Sequence, residues 1–181
     1  MKIRRVVTGI DADGKSTFLE DGPPPRTDDF ASVPGFSSTL VWATPPTPKV
    51  GIGGGSDPTP RVESFVPETG ATRLMIVTFP PDAVMMAADF DPAAAGLEYV
   101  EKVPGLAQTF EMDNPGMHTT NSVDYDMVLD GEIWLELDDG REVKLQRHDV
   151  AIQNGTRHAW RNKGTKPATM LFVLIGAHRE A

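Results

Sequence analysis

From Phe110 onward, apolar and polar residues trade places along the chain in short runs. In Glu132-Ile133-Trp134-Leu135-Glu136-Leu137, Ile133, Leu135 and Leu137 share one face, and Glu132, Trp134 and Glu136 the other. That period of two is the mark of a half-buried strand. The pattern predicts further strands at Tyr125–Leu129, Arg141–Leu145, Val150–Gln153, His158–Asn162 and Ala168–Ile175, with turns at Asp130-Gly131 and Asp138-Asp139-Gly140. Closely spaced short strands joined by Gly turns predict an all-β barrel or sandwich.

The first part of the chain is less regular. Ile3–Gly9, Ser16–Leu19, Ser38–Ala43 and Thr72–Phe79 read as strands, and residues 22–37 as irregular. Thr44–Pro60 carries five prolines and the run Gly51-Ile52-Gly53-Gly54-Gly55, which predicts a loop. One helix is expected over Asp91–Val103. Asp91 caps it, Pro92 takes the first helical position and Pro104-Gly105 ends it. Leu97 and Val100, spaced i, i+3, are expected to pack on the barrel, with Met85 and Met86 as gap fillers in the core.

Composition narrows the possibilities. The 181 residues carry a formal net charge of −9, which argues against a nucleic-acid partner because phosphate binding needs a basic footprint. There is no cysteine, so disulfides, thiolate ligands and cysteine nucleophiles are excluded. The apolar run after Lys2 stops at Thr8-Gly9, too soon for a secretion signal. No stretch approaches the roughly 18 apolar residues of a membrane helix. A cytoplasmic protein with no membrane partner is expected. Gly9-Ile10-Asp11-Ala12-Asp13-Gly14-Lys15-Ser16 matches the phosphate-binding loop pattern. That loop must lead into a helix, and Gly22-Pro23-Pro24-Pro25 leaves no room for one. A hairpin turn is expected there.

Candidate chemistry concentrates in Gly116–Asn162. His118 and His158 lie there, two of the chain's four histidines, together with Asp124. Strand parity turns Asp126 to the same side as Asp124 and Tyr125 away, and turns Trp160 to the side of His158. His148, at a turn, and His178, in the tail, are expected at the surface.

These residues resemble the two motifs of the cupin superfamily. In the first motif, Gly-x5-His-x-His-x3–4-Glu-x6-Gly, His118 stands at the first histidine, Thr120 at the second, Asp124 at the glutamate and Gly131 at the closing glycine. In the second, Asp149, a shortened turn at Asn154-Gly155, His158 and Asn162 fit, and His148 replaces a glycine. The resemblance implies a cupin-type antiparallel β-barrel (jelly roll) over residues 71–181, with residues 1–70 as an N-terminal extension, one main helix and one structural domain overall. It implies a divalent metal (Zn, Fe, Mn or Ni) on His118, Asp124 and His158, a set adequate for a facial triad. The alternative is a metal-free barrel in which His118 hydrogen-bonds Asp124 and the pair acts as a general base. Thr120, Asp126 and Trp160 would line the substrate site. Relatives of this fold include oxygenases, lyases, isomerases and dehydratases acting on small organic molecules. A non-catalytic ligand-binding module is the other function class. The N-terminal strands need a sheet edge to pair with, so a homodimer is expected.

Overall fold

A computed structural model describes residues 2–52 and 56–180. Gly53, Gly54 and Gly55, expected in a loop, lie outside the described residues. The chain forms strands β1 (Arg5–Ile10), β2 (Ser16–Gly22), β3 (Arg26–Asp29), β4 (Ser37–Thr44) and β5 (Thr72–Phe79), then helix α1 (Pro92–Lys102). Six more strands follow: β6 (Ser122–Asp130), β7 (Glu132–Glu136), β8 (Glu142–Gln146), β9 (Val150–Asn154), β10 (Ala159–Arg161) and β11 (Ala168–Gly176).

A six-stranded sheet runs in the order β3-β4-β5-β11-β6-β9, a three-stranded sheet in the order β10-β7-β8, and β1 and β2 form a hairpin of their own. Every paired strand is antiparallel. After β5 the chain passes repeatedly between the two larger sheets, which is jelly-roll topology. Gly131 makes the corner from β6 into β7. Its φ is 79°, and a Cβ there would lie 2.7 Å from the Pro167 carbonyl oxygen, so only glycine fits. Leu40, Met75, Val77, Val128, Ile133, Met170 and Phe172 meet in the core cluster.

Several expectations are corrected. Residues 22–37 hold strand β3, which pairs with β4 and extends the large sheet. Residues 1–70 therefore contribute β3 and β4 to that sheet. The N-terminal strands pair with each other as a hairpin and add no strand to the large sheet. The stretch resembling a phosphate-binding loop is that hairpin's turn: the Asp11 side chain accepts the backbone N–H groups of Asp13 and Lys15. Helix α1 is capped by Asp91, which accepts from Ala93 and Ala94, but it does not pack by Leu97 and Val100. Those are 74% and 48% exposed, and the helix buries Ala95 instead, with Tyr99 packed against the core. Small Ala95 brings the backbone close, and the Tyr99 ring then reaches Phe30 and Phe36 at 4.8 and 5.2 Å. Met85 and Met86 are exposed rather than filling gaps. His148 and His178 are exposed, as expected. Among the described residues no helix is long and apolar enough to cross a membrane.

Asn162 closes the second motif as a structural residue. It is buried, donates its amide to the carbonyls of Phe79 and Lys166 and accepts from the Gly164 N–H. Asn162→Ala leaves these backbone groups without partners and is expected to cost about 2–3 kcal/mol, read as a lower urea midpoint with an unchanged slope.

Candidate functional site

His118 and His158 are held against each other by their own backbones. The His118 N–H donates to the His158 carbonyl at 2.9 Å and the His158 N–H returns the bond at 3.0 Å. The bidentate Arg157–Glu111 pair, 2.7 Å at both contacts, ties the two segments together from outside. The imidazole centroids lie 4.3 Å apart. Each Nδ1 faces a backbone carbonyl, Gly116 O at 3.1 Å for His118 and Thr156 O at 2.9 Å for His158. A carbonyl only accepts, so each Nδ1 carries the proton and each Nε2 keeps its lone pair. Burial pushes the His118 pKa down. Burial, followed by repulsion from His118, takes His158 down to about 4. Both rings are neutral at pH 7.

Strand β6 supplies the acids. Ser122, Asp124, Asp126 and Val128 are buried, while Tyr125 and Met127 are exposed, as the two-residue period requires. Among the described residues one Asp124 carboxyl oxygen and both Asp126 oxygens have no hydrogen-bond partner. Burial pushes Asp124 up to about 6, against an opposing Ser122 hydroxyl. Burial and then the Asp124 charge push Asp126 up to about 8. Two neighbouring carboxyls whose environments separate their affinities hold one proton between them across neutral pH.

Aromatic rings surround the remaining interior. Phe36, Phe79, Phe172, Trp160, His158, His118, Phe110 and Tyr99 contact one another in sequence, and Tyr99 closes the circuit back to Phe36. Trp160 meets His158 edge-on at 6.0 Å and Phe172 at 5.7 Å, so it shares the His158 side, as parity predicts.

The metal triad does not assemble. Among the described residues no three His, Asp or Glu side chains come together as a group able to hold a metal ion. His118 and His158 face each other across a bridge at the junction of their segments. Asp124 lies within the large sheet, opposite Gln153 on β9 and Leu174 on β11. Among the described residues His118 Nδ1 faces the Gly116 carbonyl and one Asp124 oxygen has no partner, so the His118–Asp124 pair of the metal-free alternative is not made through those atoms. Thr120 is buried and accepts from the Ser122 hydroxyl at 2.9 Å. Sequence reading missed Gln153, Phe172 and Phe110. A lone glutamine within the apolar run Val150-Ala151-Ile152 was the available signal for the first.

No family model matches the chain. The chain is 44% identical over 89 residues to the phomopsin biosynthesis cluster protein D of Diaporthe leptostromiformis, a match covering 49% of this chain and 43% of that protein. It is 28% identical over 177 residues to the oryzines biosynthesis cluster protein J of Aspergillus oryzae, covering 97% and 84%. A cupin-domain-containing oxidoreductase of Aspergillus ruber, fogC, is 27% identical over 179 residues, covering 96% of this chain and 72% of that protein. Over nearly its whole length the chain is thus similar to a cupin-domain-containing protein, and its strands form the antiparallel jelly roll of a cupin-type barrel. The matched stretches span less than half the length of the two Diaporthe relatives, 43% and 33%. In this barrel the motif positions build a histidine pair and a carboxyl pair on separate parts of the wall.

Proposed function

We propose that this cupin is an enzyme that moves protons on a small organic molecule inside the barrel. The observation that carries the reading is the pair of buried carboxyls on one face of β6, with oxygens unpartnered in the protein. Such groups are costly to keep unless a bound molecule uses them. Asp124, the more readily ionised of the two, is the general base, and Asp126 is the acid. A carboxylate is effective as a base when its affinity is tuned toward the working pH. The neutral Nε2 atoms of His118 and His158 accept hydrogen bonds from a substrate hydroxyl. Trp160 packs on the substrate's flat face, and Thr120 lines the site beside Ser122.

The chemistry that fits is proton abstraction next to a carbonyl followed by return of the proton, as in isomerases, dehydratases and lyases. Relatives named for biosynthesis clusters support a small organic substrate. Among the described residues no third His, Asp or Glu side chain joins the two imidazoles, so the reading rests on the protein's own acids and bases. The test is deuterium incorporation from D2O into a panel of enolisable ketones, followed by mass spectrometry. Exchange above background that disappears in Asp124→Asn is expected. Ketones that bind without exchanging would instead make this a carrier.

We also propose a homodimer. Tyr125 and Met127 on β6 stand opposite Ile152 and Val150 on the edge strand β9, and all four are exposed. On a chain of net charge −9, this uncharged face is where two copies meet with least repulsion. Light scattering is expected to give twice the 19.6 kDa chain mass, and Ile152→Lys to halve it.

A further inference from the structure

Gln153 is the buried polar residue that the carboxyl and histidine pairs leave unexplained. It is 3% exposed and stands directly across from Asp124 in the β6–β9 ladder, which puts their Cβ atoms about 5 Å apart. Its carboxamide is not free to turn. The oxygen accepts the Thr156 hydroxyl, so the NH2 end is the one turned away from Thr156, and that nitrogen has no partner in the protein. A neighbouring carboxylate would be the obvious acceptor, yet one Asp124 oxygen is also unpartnered. Donor and acceptor stand side by side, and each is left for a third party.

We infer that the Gln153 amide nitrogen, oriented by Thr156, binds the carbonyl oxygen of the substrate while Asp124 works on the adjacent carbon. This rests on the proton-transfer reading above and names its substrate class: an uncharged enolisable ketone or aldehyde carrying a flat ring. The Asp124 carboxylate takes the proton from the carbon beside the carbonyl. The C–H electron pair becomes the new C=C bond, and the C=O π pair moves onto oxygen. The Gln153 N–H stabilises that oxygen as its charge grows. Return of the same proton to this carbon, or to a conjugated one, restores the carbonyl with no net redox change. The ring requirement comes from the Trp160 and Phe172 wall. Phe172 is the β11 neighbour of Asp126, and Trp160 stacks edge-on against it. An anionic substrate would meet two buried acids and is disfavoured.

Acetophenone labelled with 13C at the carbonyl is the probe, because it has the ring, the carbonyl and an exchangeable methyl group. Its carbonyl resonance is expected to move downfield on binding, as a hydrogen-bonded carbonyl does. Gln153→Met keeps length and bulk but removes the donor. It should abolish the downfield movement, weaken binding roughly fivefold and slow deuterium exchange about 100-fold. Thr156→Val leaves the amide in place but releases its orientation, so an intermediate shift is expected with unchanged thermal stability. If acetophenone does not bind, or if Gln153→Met leaves the carbonyl resonance where the native protein puts it, the inference is overturned. The two readings fail separately. A shift lost in Gln153→Met while Asp124→Asn leaves exchange untouched removes Asp124 as the base and keeps Gln153 as the oxygen binder. Exchange lost in Asp124→Asn with the shift intact in Gln153→Met does the reverse.

Discussion

Asp124→Asn is expected to lower deuterium exchange into a bound ketone by about 1,000-fold, within the range that a positioned general base contributes. The substitution keeps the shape of the side chain and removes only its ability to take a proton. Substrate binding should therefore survive, with a nearly unchanged KM and the loss confined to kcat. The folded protein should not suffer, because the carboxyl it replaces is buried with an oxygen unpartnered. A circular dichroism melt checks that point, and mass spectrometry of the exchanged ketone checks the first. An equal loss from Ser122→Ala with no loss from Asp124→Asn would place the base elsewhere.

Stability should decline on the alkaline side of neutrality, and Asp126→Asn should remove the decline. Asp126 titrates at about 8 in the fold against an ordinary 3.8. Between those values the folded state keeps a proton that the unfolded chain releases, so stability falls as pH rises. Asp124 acts in the same direction from 3.8 to about 6. His158 acts oppositely. Its folded value near 4 lies below the ordinary 6.5, so stability rises with pH across that interval, and His118 adds to it. Between about pH 4 and 6 the slopes of the acids and the histidines oppose one another. Above 6.5 the unfolded histidines shed their last protons, a small opposing gain, while Asp126 still titrates in the fold. From pH 6.5 to 8 the native protein should lose about 1 kcal/mol, or roughly 3 °C in Tm. Asp126→Asn should show no decline over the same interval. A native protein whose Tm stays level from pH 6.5 to 8 would show that Asp126 ionises freely.

Strand alternation carried much of this architecture. Thr72–Phe79 is read at its observed bounds, and the inward placement of Asp124, Asp126 and Trp160 follows from parity alone. The helix face was not legible in the same way. Leu97 and Val100 make an apolar pair at helical spacing, but periodicity does not know where the barrel lies. The contacts of Tyr99 with Phe30, Phe36 and Phe110 decide it. The placing of Asp124 apart from the two histidines was not legible for a related reason. Motif spacing measures distance along the chain, whereas the convergence of Asp124 with the histidines depends on how two sheets face each other. Gln153 joins Asp124 only because β9 returns to β6 after the β7–β8 excursion, a register set by the Gly131 corner and the turn before β9.

Strand β6 writes two messages in alternate letters. Ser122, Asp124, Asp126 and Val128 spell the interior, while Tyr125 and Met127 spell the outer apolar face beside Val150 and Ile152. Inserting or deleting one residue upstream of Asp124 would exchange the texts, sending tyrosine and methionine inside and carboxylates out. A single-codon indel in this strand is thus a double mutation in effect.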